Sequence, residues 1–113
     1  MKKGLVENLE KEIIQKIKKA KILNVKLKNQ DEKNFERHFK HRDLFVVIEG
    51  EIKFQYLYFY EERVENDSQR IEIKEEILSP GEFILFEISE IHKPNLYFNS
   101  LTAKLKLLKL GAE

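Results

Sequence analysis

The chain has 113 residues and a mass of 13.6 kDa, a length that suits one domain, 1–113, with a single hydrophobic core. Its 21 basic and 20 acidic side chains nearly cancel, so no strong net field points to nucleic acid, and the absence of cysteine excludes disulfides, thiolate zinc sites and a cysteine nucleophile. No apolar run approaches transmembrane length and no signal-peptide core follows Lys2 and Lys3, so a cytoplasmic protein without membrane attachment is expected.

Leu5, Leu9, Ile13, Ile17 and Ala20 recur at helical spacing among charged residues, which predicts an amphipathic helix over 5–20. Its acidic side chains come early and its lysines late, in the sense that complements the helix dipole. The many lysines of this N-terminal part read as a solvated helix face, because no aromatic residues interleave with them as a nucleic-acid stacking surface would require.

From residue 22 the pattern changes to short runs rich in β-branched and aromatic residues at 22–28, 34–38, 43–49, 51–60, 69–78, 82–88 and 101–110. Asn66-Asp67-Ser68 is a turn signal between two of them. Consecutive strands without crossover helices imply an antiparallel sandwich or barrel. Only four glycines are present and none cluster, so phosphate-binding loops are excluded. The alternating Phe54, Tyr56, Tyr58 and Tyr60 share one strand face; core or interface packing is the commoner use of such a stripe, and a sugar-stacking wall the alternative.

Candidate chemistry is confined to two segments, 35–43 and 79–94, which hold all three histidines. Glu36 and His38, two apart, would project from one strand face as ligands of one metal ion. Asp43 has the opposite parity and joins them only if residues 39–42 turn into a new strand. His92 would arrive from a distant strand. His41 falls off the Glu36/His38 face and is expected to be exposed or in the turn rather than a ligand. A buried group of two carboxylates and two imidazoles needs neutralising by a divalent cation, by protonation or by mutual pairing. Zinc, iron, manganese and nickel all suit that N/O donor set, while an ion-pair network without metal is the competing reading. Lys40 and Lys93 are candidates for contacts to an anionic sugar, although lysines beside loops are usually solvated.

The spacings Glu36-x-His38-x4-Asp43-x6-Gly50 and Gly81-x10-His92 resemble the two motifs of the cupin superfamily, with Glu36 in the place of a histidine and Asp43 in that of a glutamate. A narrower resemblance is to the YhcH/YjgK/YiaL family of small cupin-like proteins, which includes the so-called β-galactosidase beta subunit. It is carried by Glu36, His38, Lys40, Asp43, Val47, Glu49, Gly50 and Glu51, and by Pro80-Gly81-Glu82-Phe83-Ile84-Leu85-Phe86 and Ile91-His92-Lys93-Pro94. Phe45 departs from it, standing where the family has a polar Gln.

The resemblance implies an all-β fold: a cupin-type double-stranded β-helix, an antiparallel jelly-roll barrel over 22–110 behind the N-terminal helix, often a homodimer. It implies Glu36, His38, Asp43 and His92 around a divalent metal ion, with Glu36, Asp43 and His92 in catalysis. The expected ligand is a small sugar or sugar acid, undergoing anomerisation or isomerisation. A non-catalytic ligand-binding or regulatory cupin module is the alternative.

Overall fold

The structure, a computed structural model, describes residues 1–25, 35, 37–61, 69–98 and 103–111. Eight strands and one α-helix occur among them: β1 (Lys2–Leu5), α1 (Lys11–Lys19), β2 (Ile22–Val25), β3 (His41–Glu49), β4 (Glu51–Glu61), β5 (Gln69–Leu78), β6 (Glu82–Phe86), β7 (His92–Phe98) and β8 (Ala103–Gly111). The strands form two antiparallel sheets, a five-stranded one in the order β1-β6-β3-β8-β2 and a three-stranded one in the order β5-β4-β7. The all-β expectation holds at that level, and the two sheets are not joined into a closed barrel among the described residues. No described helix is long and apolar enough to cross a membrane.

The five-stranded sheet is buried on both faces, which explains the unbroken apolar runs of β3 and β6. Alternate residues Phe45 and Val47, Ile84 and Phe86, and Ala103 and Leu105 face the other sheet and meet Ile52, Phe54, Tyr56 and Leu78. The intervening Leu44, Val46, Phe83, Leu85, Leu108 and Leu110 face outward and are covered by α1 through Ile17, with Val6, Leu9, Ile13 and Ala20 around it. Lys106 of β8 donates to the Ile17 carbonyl at 2.9 Å, placing a cation at the C-terminal end of the helix.

The helix is shorter than the 5–20 expected from periodicity. Residues 2–5 pair with β6, and a 3-10 turn at Val6–Asn8 precedes α1. Gly4 accounts for part of this: it is a poor helix former, and it lies where a Cβ would come within 3.3 Å of the Phe83 ring, so a bare backbone fits there. Two further corrections concern strands. Phe35, Arg37 and His38 are not in a strand, and 92–98 is one, although Pro94 obscures it. β7 lies at the edge of its sheet, and the β4–β7 register shifts between Lys53 and Gln55, opposite Pro94; edges and bulges are where a strand tolerates a missing N–H. The turn expected at Asn66-Asp67-Ser68 lies outside the described residues.

Turn chemistry moves the chain between sheets. At Ser79-Pro80-Gly81-Glu82 the Glu82 N–H donates to the Ser79 carbonyl at 3.1 Å, with Gly81 at φ 87°, the geometry of a type II turn. It takes the chain from β5 in one sheet to β6 in the other. A register shift between Val47 and Glu49 and a left-handed Gly50 (φ 74°) do the same between β3 and β4.

Candidate metal centre

β3 begins at His41, directly after a bend at Phe39-Lys40, and this start sets the site. His41, Asp43, Phe45 and Val47 alternate onto one face; Phe45 and Val47 enter the core between the sheets, and Asp43 lies just beyond them, 2% exposed. β7 begins at His92, also 2% exposed, directly opposite Tyr56 of β4. Asp43 is paired across β3 and β6 with Phe86, whose ring lies flat on the His92 imidazole at 4.3 Å between centroids. The Phe45 ring meets the same imidazole edge-on at 6.1 Å.

Three imidazoles converge on one carboxylate. His92 Nε2 is 2.9 Å and His38 Nε2 3.1 Å from Asp43 Oδ2, while His41 Nε2 is 3.2 Å from Oδ1. Ligand atoms of His38, Asp43 and His92 all lie within 4.8 Å of one another. Ligands about 2.1 Å from a tetrahedral ion are roughly 3.4 Å apart, a spacing that the 2.9 and 3.1 Å separations from Asp43 Oδ2 approach to within about half an ångström. The His38–Asp43–His92 group therefore has the composition and spacing to hold a metal ion. The chain between His38 and Asp43 thus turns as the parity of Asp43 demanded, with the bend at Phe39-Lys40, although His38 belongs to the segment before the bend and not to a strand. Glu36, the other expected ligand and catalytic residue, lies outside the described residues.

The polar atoms test the fit of a cation. His92 Nδ1 is 3.1 Å from the Glu90 carbonyl, an acceptor only, so Nδ1 carries the proton. Hydrogen bonding Nε2 to Asp43 as well requires a doubly protonated ring, whereas a cation takes the place of the Nε2 proton and leaves the Nδ1–H bond intact. Orientation of a ligating histidine by a backbone carbonyl is the usual support for such a site. Asp43 Oδ1 and His41 Nε2 are both buried, and although close they are not aligned for a hydrogen bond; neither has another partner among the described residues. Unpaired buried polar atoms are costly, and a cation among them would use their lone pairs.

His41 is the site residue that strand parity on the Glu36/His38 side misses. Neither the exposed position nor the turn expected for it holds: His41 opens β3, its side chain is 23% exposed, its Nε2 is buried against Asp43, and its ring stacks on His38 at 4.4 Å. The signal was present as His41-x-Asp43-x-Phe45-x-Val47, a period-two series running into the core. A second feature without a sequence signal is the loop 87–91. Ser89 N–H donates to the His38 carbonyl at 2.8 Å, and Arg37 Nε donates to the Ser89 carbonyl at 3.1 Å. Ser89 adopts φ 63°, a strained value for a residue other than glycine. One loop therefore holds the His38 backbone through Ser89 and the His92 ring through Glu90.

Other candidates sort themselves by place. Phe54 and Tyr56 are core residues, and Tyr56, 6% exposed, donates its phenol to Glu76 at 3.2 Å. Burial, then the Glu76 and Glu90 carboxylates and the Glu76 hydrogen bond, push that phenol up to about 12, so it remains a donor beside His92. Tyr58 is 47% exposed under the Lys74 ammonium. Lys40 is exposed, and the Lys93 ammonium lies 5.7 Å from the Phe35 ring centroid.

Burial on its own would raise the Asp43 carboxyl, but the His92 hydrogen bond and the charges of His38, His92 and His41 outweigh it and hold the group below the usual carboxylate value. A folded value below the unfolded one means that the unfolded chain takes up the proton first as pH falls. The stabilisation is complete above about pH 4 and vanishes as pH drops through the folded value. In metal-free protein, wild type should therefore exceed Asp43→Asn in urea midpoint at about pH 6, with the gap narrowing as pH falls below about 4. A gap independent of pH would show that the carboxylate charge contributes nothing.

Searches against protein-family models and against curated proteins return no match for this chain.

Proposed function

We propose that the chain is a cupin-like protein whose His38, Asp43 and His92 bind a divalent metal ion, and that it acts there on a small sugar or sugar acid. The convergence of three imidazole nitrogens on the buried Asp43 carries the metal part of this reading. The jelly-roll part is supported by the path of the chain, which passes from β3 in one sheet to β4 and β5 in the other, then to β6, β7 and β8 in alternate sheets. The sugar part rests on the resemblance of residues 36–51 and 80–94 to the YhcH/YjgK/YiaL family, whose chemistry would be anomerisation or isomerisation.

Asp43 and His92 are almost wholly enclosed, so their duty is to hold the ion, while His38 (28% exposed) and His41 stand on the side open to solvent. A bound divalent ion supplies Lewis-acid polarisation of a sugar oxygen, which favours proton transfer at the anomeric centre. His41 is placed beside the group to hold or pass a proton, and Glu36 is the carboxylate proposed as general base. A specific observation favours the second reading, a non-catalytic binding module: apart from Asp43 and His92, the buried side chains among the described residues are hydrophobic, and Phe45, at the position of a polar family residue, fills the interior.

One experiment separates the two. Protein purified without chelator or metal-binding tag is assayed for bound metal, then for acceleration of α/β exchange by NMR across a panel of aldoses and sugar acids. One equivalent of ion and faster exchange, lost in His38→Ala, is the expected result. Bound ion without acceleration of any sugar would leave the binding module, and no ion after loading would end the metal reading.

A further inference from the structure

We infer that the chain carries a second small-molecule site, on the other face of the five-stranded sheet from the metal centre, that binds a free α-amino acid with a large apolar side chain. The site is a cavity of about 620 Å³ between the start of α1 and the sheet face turned away from Asp43 and His92. That size lies in the ordinary range for small ligands. Its floor and walls are apolar, from Phe83 and Leu85 of β6, Leu9 and Ile13 on the helix side, and Ile88 just after β6. No residue of the cavity belongs to the His38–Asp43–His92 group, so the inference stands apart from the metal reading.

The rim is charged, and its charges are not used up on one another. Arg42 of β3 donates through Nε to the Gly111 carbonyl at 3.2 Å, which fixes the guanidinium and leaves its two terminal amino groups without a carboxylate partner among the described residues. A guanidinium held in this way offers a fork that matches the two oxygens of a carboxylate. Glu87 is its neighbour: the β3–β6 register runs to Asp43 opposite Phe86, so the next residues along the two chains, Arg42 and Glu87, stand side by side over the same cavity. Lys2, opposite Leu85 on β1, and Glu10, just before α1, add a second cation and a second carboxylate. Glu87, Lys2 and Glu10 have no ion pair or side-chain hydrogen bond to a described residue.

This pattern selects the head group. The two cations and two carboxylates cancel, so a ligand of net charge zero enters without leaving charge unbalanced, whereas a simple acid faces the carboxylates and a simple amine the cations. An α-amino acid carries its ammonium and carboxylate on one carbon, close enough together for Glu87 and Arg42 to take one each. Its side chain then reaches the Phe83 and Leu85 floor, where burial of an aliphatic or aromatic group is favourable and that of a charged one is not.

Isothermal titration calorimetry on the full chain tests this, in buffer containing chelator, because amino acids also ligate metal ions and the metal centre must not contribute. L-Phenylalanine or L-leucine should bind with a dissociation constant below about 1 mM. Phenethylamine and hydrocinnamate, which each lack one of the two head-group charges, should bind roughly tenfold or more weakly than phenylalanine. Arg42→Gln and Glu87→Gln, each checked for folding by circular dichroism, should weaken the amino acid by a similar factor, while His38→Ala at the metal centre should leave its affinity unchanged. A dissociation constant above about 1 mM for both amino acids overturns the inference. Analogues that bind as tightly as phenylalanine, an affinity that survives both rim substitutions, or one that falls with His38→Ala overturn it as well, since the head group would then be held elsewhere.

Discussion

A divalent ion that binds at His38, Asp43 and His92 should raise the melting temperature of the wild-type chain by about 10 °C when present at about one hundred times its dissociation constant. The figure follows from linkage: a ligand bound only by the folded state adds about 2.7 kcal/mol at that ratio, and one kcal/mol moves the midpoint of a chain this size by roughly 4 °C. Asp43→Asn should abolish most of that rise. The amide keeps the shape of the carboxylate, but it carries no charge and is a weak donor to a hard or borderline cation, so two imidazoles are left to hold the ion. Scanning calorimetry with zinc, iron(II), manganese or nickel added to chelator-treated protein measures the shift. An equal rise in wild type and variant would locate the ion elsewhere, and no rise with any of the four would leave the cluster as a network of histidines around a carboxylate.

His92→Ala should be the more disruptive of two histidine deletions, costing about 3 kcal/mol in metal-free protein. The His92 ring is 2% exposed, lies flat on Phe86 at 4.3 Å and meets Phe45 edge-on, so its loss opens a cavity among aromatic rings and removes the hydrogen-bond partner of a buried carboxylate. His38→Ala removes a ligand that is 28% exposed and borders solvent, and should cost about 1 kcal/mol or less in the metal-free state. Both should reduce metal occupancy to a similar degree. Urea denaturation in chelator and metal titration of each variant test the contrast, and equal destabilisation by the two would mean that the rings share one environment. His38→Ala is therefore the cleaner variant for functional assays.

What could be read along the chain were features that depend on neighbours in sequence. Short runs of β-branched and aromatic residues marked six of the eight strands, Ile13 and Ile17 marked the buried stripe of the helix, and Pro80-Gly81 marked a tight turn, because strand propensity, helical period and turn dihedrals are local properties of the backbone. The histidine and aspartate spacings likewise pointed to one cluster. Long-range pairing decided the rest. Leu5 belongs to the helical pattern in sequence, yet it ends a strand over 2–5 because the open edge of β6 offers that backbone its hydrogen bonds and the Phe83 ring packs closely on the bare Gly4. His92 is 49 positions from Asp43, and it reaches Oδ2 only because β3 and β7 belong to facing sheets whose shared core sets their separation. Parity counted from His38 places His41 off the site, whereas parity counted from Asp43, two residues on, places it beside the carboxylate. Where β3 begins determines which parity applies, and that start is set by the pairing of His41 with Gly111 on β8, a contact spanning most of the chain.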